Sequence, residues 1–300
     1  MPWRRRILAA ACAALVAALQ LEALDLPAFG FATTMAELAE LERLNRSVRF
    51  DEAATIEADW RGIYDRVTVV ELPGVQNRYA LFVDNRHRGC DLAIRGTVNL
   101  KNAIFDLEFM KDRSEALGIY LHSGFEKVAT ALYVDLRPRL PPGYSIRVTG
   151  HSLGAAEAMI VGMLLSGDGF AVSKVVAFAP PKITDAEGWS RYANLPVVRV
   201  AGPFDPVPFL PPKGPVYGRK PYVQGGDLIL LLDGPKFTIV GSPFFDDLPD
   251  AFKQAYADGR HFDVADHLLP AYLRRIFPKL DGVEFVDAAQ WDRYALPAER

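Results

Sequence analysis

Cysteine is nearly absent from this chain, with two among 300 residues, Cys12 and Cys90. Cys12 falls in an N-terminal leader, which leaves Cys90 alone and excludes a disulfide framework. Histidine is also scarce, at five residues. There is no H-E-x-x-H helix, no cysteine cluster and no Gly-rich phosphate loop, so neither a metal nor a cofactor is called for. No basic stripe follows the N-terminal arginines, and the net charge is −3, which argues against a nucleic acid partner. Linkers of Ser, Gly or Pro, low-complexity runs and internal repeats are missing too. What remains is 50% hydrophobic and 24% charged, enough for a sizeable core. Residues 26–300 are read as one α/β domain.

The first 25 residues are read as a targeting segment. Arg4, Arg5 and Arg6 precede an uninterrupted apolar run from Ile7 to Leu19. That run is short for a membrane span and suits a signal peptide, with cleavage after Ala23 as one option. The expected location is therefore exported, secreted or periplasmic. An uncleaved membrane anchor formed by residues 7–19 is the alternative.

Chemistry concentrates in Ser145-Ile-Arg-Val-Thr-Gly-His-Ser-Leu-Gly-Ala-Ala156. Tyr144 to Val148 reads as a strand, Gly150 to Gly154 as a turn, and Ala155 onward as a strong helix. This is G-x-S-x-G in the strand–turn–helix setting of a nucleophile elbow. Gly150 and Gly154 let backbone pack closely beneath a strained serine. The Ser152 hydroxyl then stands at a helix N-terminus, where free N–H groups favour developing negative charge. Ser152 is the candidate nucleophile.

Around the elbow, Met35, Leu38, Leu41 and Leu44 fall at helical spacing, and a second helix is expected within 51–64; both are expected to cover one edge of a sheet. Segments 67–72, 78–84 and 91–95 read as strands close enough to pair antiparallel. The apolar runs 172–178 and 196–201 read as buried parallel strands. Asp233-Gly234 turns a hairpin between 227–232 and 236–240. The alternation of helices and apolar strands predicts a mostly parallel central sheet with helices on both faces. The third strand ends in Arg95-Gly96-Thr97, where Thr97 offers an N–H and a hydroxyl, although an ordinary strand-end turn has the same composition.

Together, Ala93-Ile-Arg-Gly-Thr97, Asn102 with Asp106-Leu107, His122-Ser-Gly-Phe125, Gly150-His-Ser-Leu-Gly-Ala155, Phe178-Ala-Pro-Pro-Lys182, Asp205-Pro-Val-Pro208 and Asp266-His267 with Tyr272 resemble the class 3 lipases. The likeness runs over roughly 65 to 276. It implies an α/β-hydrolase fold with an oxyanion hole formed by Thr97 and the Leu153 N–H. It also implies a lid between Thr97 and His122; the apolar stretch 98–109 suits a flap as well as a core-packing helix. The family often has tryptophan where this chain has Ala103. His122 is read as structural.

For the acid, Asp205 follows the strand 196–201 at the edge where functional groups gather. Asp-Pro is also an ordinary turn initiator, and Asp185 competes. Asp205 is favoured by position, chain order and the resemblance. For the base, the order Ser, Asp, His leaves His261 and His267; the histidine-then-tyrosine spacing of the resemblance favours His267. These residues imply a serine hydrolase cleaving lipid esters of the triacylglycerol class through an acyl-enzyme. Phospholipase A1, short-chain esterase, acyltransferase and non-catalytic lipid binding are the alternatives. The implied partners are an ester substrate and a transient lipid interface.

Overall fold

The computed structural model describes residues 26, 33–96, 110–211, 220–240 and 263–287. The leader, Thr97, the 98–109 stretch and His261 lie outside these residues.

A sheet of nine strands organises the chain. Its strands are β1 (Arg66–Leu72), β2 (Asn77–Asp84), β3 (Gly89–Ile94), β6 (Ser145–His151), β7 (Val172–Phe178), β8 (Val197–Ala201), β9 (Asp227–Leu231), β10 (Lys236–Val240) and β11 (Glu284–Phe285), adjacent in that order. A separate antiparallel pair joins β4 (Lys111–Arg113) to β5 (Tyr120–His122). β1, β2 and β3 pair antiparallel, as their spacing predicts, and β3, β6, β7, β8 and β9 then run parallel. The β9–β10 hairpin is antiparallel. Because the five central strands point one way, their C-terminal ends line one edge.

Each face of the sheet is covered. On one side, α3 (Ser123–Leu136) and α4 (Leu153–Gly167) enclose a core that includes Leu81, Leu92, Ile146, Val148, Val175, Leu132 and Met159. α4 is buried from Gly154 to Leu165, consistent with a helix apolar all round. Burial of each large aliphatic side chain contributes about 1.5–3 kcal/mol before entropy is counted.

On the other side lies α1 (Met35–Phe50), whose first turn is capped by Thr34 accepting the Glu37 N–H at 3.1 Å. The sequence places this helix at a sheet edge. The structure corrects that: Met35, Leu38, Leu41, Leu44 and Val48 share a core with Ala80, Phe82, Ala93, Val176 and Phe178 on the sheet's face. An apolar stripe needs an apolar partner, and the inner strands supply it. α1 also carries a polar stripe under the elbow. Asn45 Nδ2 donates to Glu42 Oε2 at 3.0 Å and to Thr149 Oγ1 at 3.1 Å, and Thr149 donates to the Val176 carbonyl at 2.9 Å. The second expected helix is short, α2 (Ala53–Asp59), ending before Gly62 at φ +93°. α5 (Ala186–Arg191) follows β7, and α6 (Leu269–Ile276) closes the second face through Tyr272 and Ile276.

Candidate active site

β6 runs into Ser152 and α4 begins at Leu153, so the serine is the hinge between strand and helix. Its backbone has φ 62° and ψ −127°, a region that a side chain rarely adopts. Close packing holds it there. A Cβ on Gly150 would lie 2.2 Å from the Gly154 carbonyl oxygen, and one on Gly154 would lie 2.5 Å from the Ile94 carbonyl oxygen. The elbow therefore rests on the end of β3 with room for hydrogens only. The Ser152 N–H donates to the Phe178 carbonyl at 2.9 Å, and the Ser152 carbonyl accepts the Ala155 N–H at 3.0 Å. The residue is fully buried.

Three side chains meet at this edge. Ser152 Oγ is 2.8 Å from His267 Nε2. His267 Nδ1 lies 2.9 Å from Asp205 Oδ1 and 2.8 Å from Asp205 Oδ2. All three are completely shielded from solvent. Asp205 sits on the loop after β8, and His267 ends a short 3-10 turn, Val264–His267, just before α6. A carboxylate on Nδ1 fixes the imidazole as the tautomer whose Nε2 can accept the serine proton, and it offsets the charge that forms when it does.

Asp205 is itself well anchored. Its Oδ1 accepts the Val207 N–H at 2.9 Å, and its Oδ2 accepts the Tyr272 hydroxyl at 2.6 Å. The same Tyr272 oxygen accepts the Gly202 N–H at 3.0 Å. Burial and then the neighbouring Asp205 charge hold the Tyr272 phenol well above its ordinary pKa, so it stays a donor. His151 lies against the other side of His267, ring centroids 4.9 Å apart. Burial, followed by repulsion from His267 and Arg49, pushes its pKa well below the usual value. Kept neutral, it adds no second positive charge beside His267.

The remaining expected residues separate from this cluster or lie outside the described residues. Leu153 opens α4, where a first-turn N–H has no intrahelical acceptor. Thr97 is outside the described residues, but Gly96 before it packs on the elbow: a Cβ there would lie 2.5 Å from the His151 carbonyl oxygen and 3.6 Å from Ser152 Cβ. Asp185 is engaged elsewhere, accepting the Gly188 N–H at 3.0 Å and pairing with Lys111 at 3.2 Å. His122 is buried at the start of α3, stacked on Phe125 at 3.9 Å. His87 pairs with Asp84 at the surface. Among the described residues no group of acids, cysteines and histidines could hold a metal. Sequence reasoning missed the Tyr272 hydroxyl as a hydrogen-bond donor to Asp205, although its place five residues beyond the histidine was a usable signal.

Comparison with known proteins follows the same edge of the sheet. The family model for Lipase (class 3) matches residues 92–214. The secreted mono- and diacylglycerol lipase 1 of Fusarium solani is 29% identical over 142 residues, covering 43% of this chain and 41% of that protein. The lipase of Rhizopus oryzae is 34% identical over 103 residues, covering 32% of this chain and 26% of that one. The matches thus span less than half the length of these relatives. Among solved structures, the lipase from Rhizopus microsporus var. chinensis superposes with a TM-score of 0.62 at 19% identity, over 80% of this chain and 87% of that one. Lipase II from Rhizopus niveus gives 0.60 at 20% identity, over 79% and 94%. The fold is the α/β-hydrolase fold of these fungal enzymes, and residues 92–214 are similar to the class 3 lipase family.

Proposed function

We propose that the protein is a serine hydrolase that cleaves carboxylic esters of lipids. The observation that carries the reading is the continuous hydrogen-bonded line from Ser152 through His267 to Asp205. His267 takes the serine proton as Oγ attacks the ester carbonyl. The oxyanion is held by the Leu153 N–H and by Thr97, at a helix N-terminus that favours negative charge. The imidazolium returns the proton to the leaving alcohol. Water then attacks the acyl-enzyme with His267 again as base, and the acid is released. No metal or cofactor enters any step.

Acylglycerols are the substrate class we favour, because mono- and diacylglycerol lipase is the name borne by relatives 29–30% identical over 140–142 residues. Export by residues 1–25 is part of the same reading and is supported by the word secreted in those names. Among the described residues no helix is long and apolar enough to cross a membrane. We read 26–300 as one catalytic unit, supported by a sheet whose strands run from Arg66 to Phe285.

The test is hydrolysis of p-nitrophenyl esters from short to long acyl chains, beside emulsified acylglycerol, for the wild type and Ser152→Ala. Turnover of long chains that falls at least about 10⁴-fold in the variant is expected. Preference for the shortest esters alone would make it a short-chain esterase. Product that requires an acceptor alcohol would make it an acyltransferase, and bound acyl chains without turnover would make it a lipid-binding protein.

A further inference from the structure

Asp205 and His267 each have a neighbour one residue upstream, Phe204 and Asp266, and these neighbours are also bonded to each other. Asp266 Oδ2 accepts the Phe204 N–H at 3.2 Å, and the Phe204 carbonyl accepts the Asp263 N–H at 3.0 Å. The loop of the acid and the loop of the base are thus stitched at backbone level beside the point where their side chains meet. Asp266 is held from behind, with its Oδ1 2.5 Å from Arg275 Nη1 and both side chains largely buried. Arg275 comes from α6, the helix that also presents Tyr272 to Asp205. Gly202 makes room for this arrangement: a Cβ there would lie 2.7 Å from Asp266 Oδ2 and 3.8 Å from Arg275 Nη1. A buried ion pair carries a large desolvation cost and is weak evidence for stability alone. Its placement, next to the base in the chain and hydrogen-bonded to the residue before the acid, is what calls for a reason.

We propose that Asp266, braced by Arg275, is a positioning residue that sets the separation and alignment of Asp205 and His267; this rests on the hydrolase reading above. Asp266 touches neither Ser152 nor a reacting atom. It fixes the Phe204 N–H, and through it the Cα of Asp205, relative to the Cα of His267. Without that bond only the Asp263 N–H to Phe204 carbonyl bond, the Tyr272 hydroxyl on Asp205 and the acid–base contact itself would hold the two loops in register. Misplacement by about 1 Å at a reacting group costs on the order of 10²-fold in rate, and loss of an outer hydrogen-bond partner costs roughly 10- to 100-fold.

The experiment compares wild type, Asp266→Ala, Asp266→Asn and Arg275→Gln. Active sites are counted by titration with a fluorophosphonate, and kcat and KM are measured with p-nitrophenyl acetate. The low-field proton resonance of His267 Nδ1–H is recorded in parallel. Asp266→Ala is expected to lower kcat per titrated site about 10- to 100-fold with KM within about two-fold, and to shift or broaden the resonance. Asp266→Asn keeps an oxygen for the Phe204 N–H and is expected to recover most of kcat. Arg275→Gln, which removes the brace, is expected to fall between Ala and wild type, and it decides the matter with Asn if Ala does not fold. An unchanged kcat per site with a lower melting temperature would overturn the proposal, as would Asn matching Ala. A wild type that neither turns over esters nor reacts with the fluorophosphonate would sink the hydrolase reading instead. The resonance needs no turnover, and its invariance in Asp266→Ala would sink the positioning role alone.

Discussion

At the scale of single residues, the site depends on backbone approach that only hydrogen permits. Gly150 and Gly154 carry the elbow because a methyl on either would collide with backbone, and backbone cannot rotate aside as a side chain can. Gly150→Ala is therefore expected to cost at least about 3 kcal/mol, at or above the usual range for overpacking. Thermal unfolding measures the loss, and titration with a fluorophosphonate should find Ser152 unreactive. His122 gives a pH signature. Burial lowers its pKa to about 4, and neither ring nitrogen has a hydrogen-bond partner among the described residues. The unfolded chain takes up a proton near pH 6.5 while the folded chain refuses it until about pH 4. This contribution is thus fully present above pH 6.5 and is lost as the pH falls through that window, by roughly 3 kcal/mol in all. His122→Phe, which keeps the stack on Phe125, should reduce the difference in unfolding free energy between pH 7 and pH 4.5 by about 2.4 kcal/mol, most of that amount. An unchanged difference would mean that His122 charges freely in the folded protein.

Among elements, the junction of β4, α5 and the segment near Tyr222 shows how a polar pair can brace packing. Lys111 and Asp185 form an almost completely buried ion pair at 3.2 Å, and the Lys111 ammonium lies 4.2 Å from the Tyr222 ring centre. Asp185 also caps α5. Asp185→Ala removes the cap and leaves a buried ammonium without its carboxylate, so a loss of about 3–5 kcal/mol is expected in denaturant unfolding. A loss under about 1 kcal/mol would mean that the Lys220 carbonyl, which accepts from the Lys111 ammonium at 2.8 Å, and the Tyr222 ring suffice. β4 and α5 were not read from the sequence, whereas the central strands, the hairpin and the elbow were legible because their signals are local. Apolar runs mark β7 and β8, Asp233-Gly234 marks the hairpin, and glycine–serine spacing marks the elbow. The place of α1 was not legible. Its apolar stripe states that one face is buried, whereas the partners, Ala80, Phe82, Ala93, Val176 and Phe178, lie on three strands, β2, β3 and β7, the last about eighty residues beyond the others.

For the whole molecule, the sheet order brings residues more than a hundred positions apart to one edge. Ser152 follows β6, Asp205 follows β8, and His267 precedes α6. The motif alone nominated Ser152, whereas Asp205 over Asp185 and His267 over His261 needed chain order together with the resemblance to class 3 lipases. The supports around them were hidden. Tyr272 on Asp205, His151 against His267 and Asp266 on Phe204 each need two loops in register, and no local pattern encodes that. The most direct measurement is intact-protein and peptide mass spectrometry after exposure to a long-chain alkyl fluorophosphonate. One adduct per chain is expected, on the peptide bearing Ser152, absent from Ser152→Ala and formed at least about a thousand-fold more slowly in His267→Ala. A folded wild-type protein that takes up no label, or that takes it up at another residue, would contradict the assignment of Ser152 as a nucleophile activated by His267.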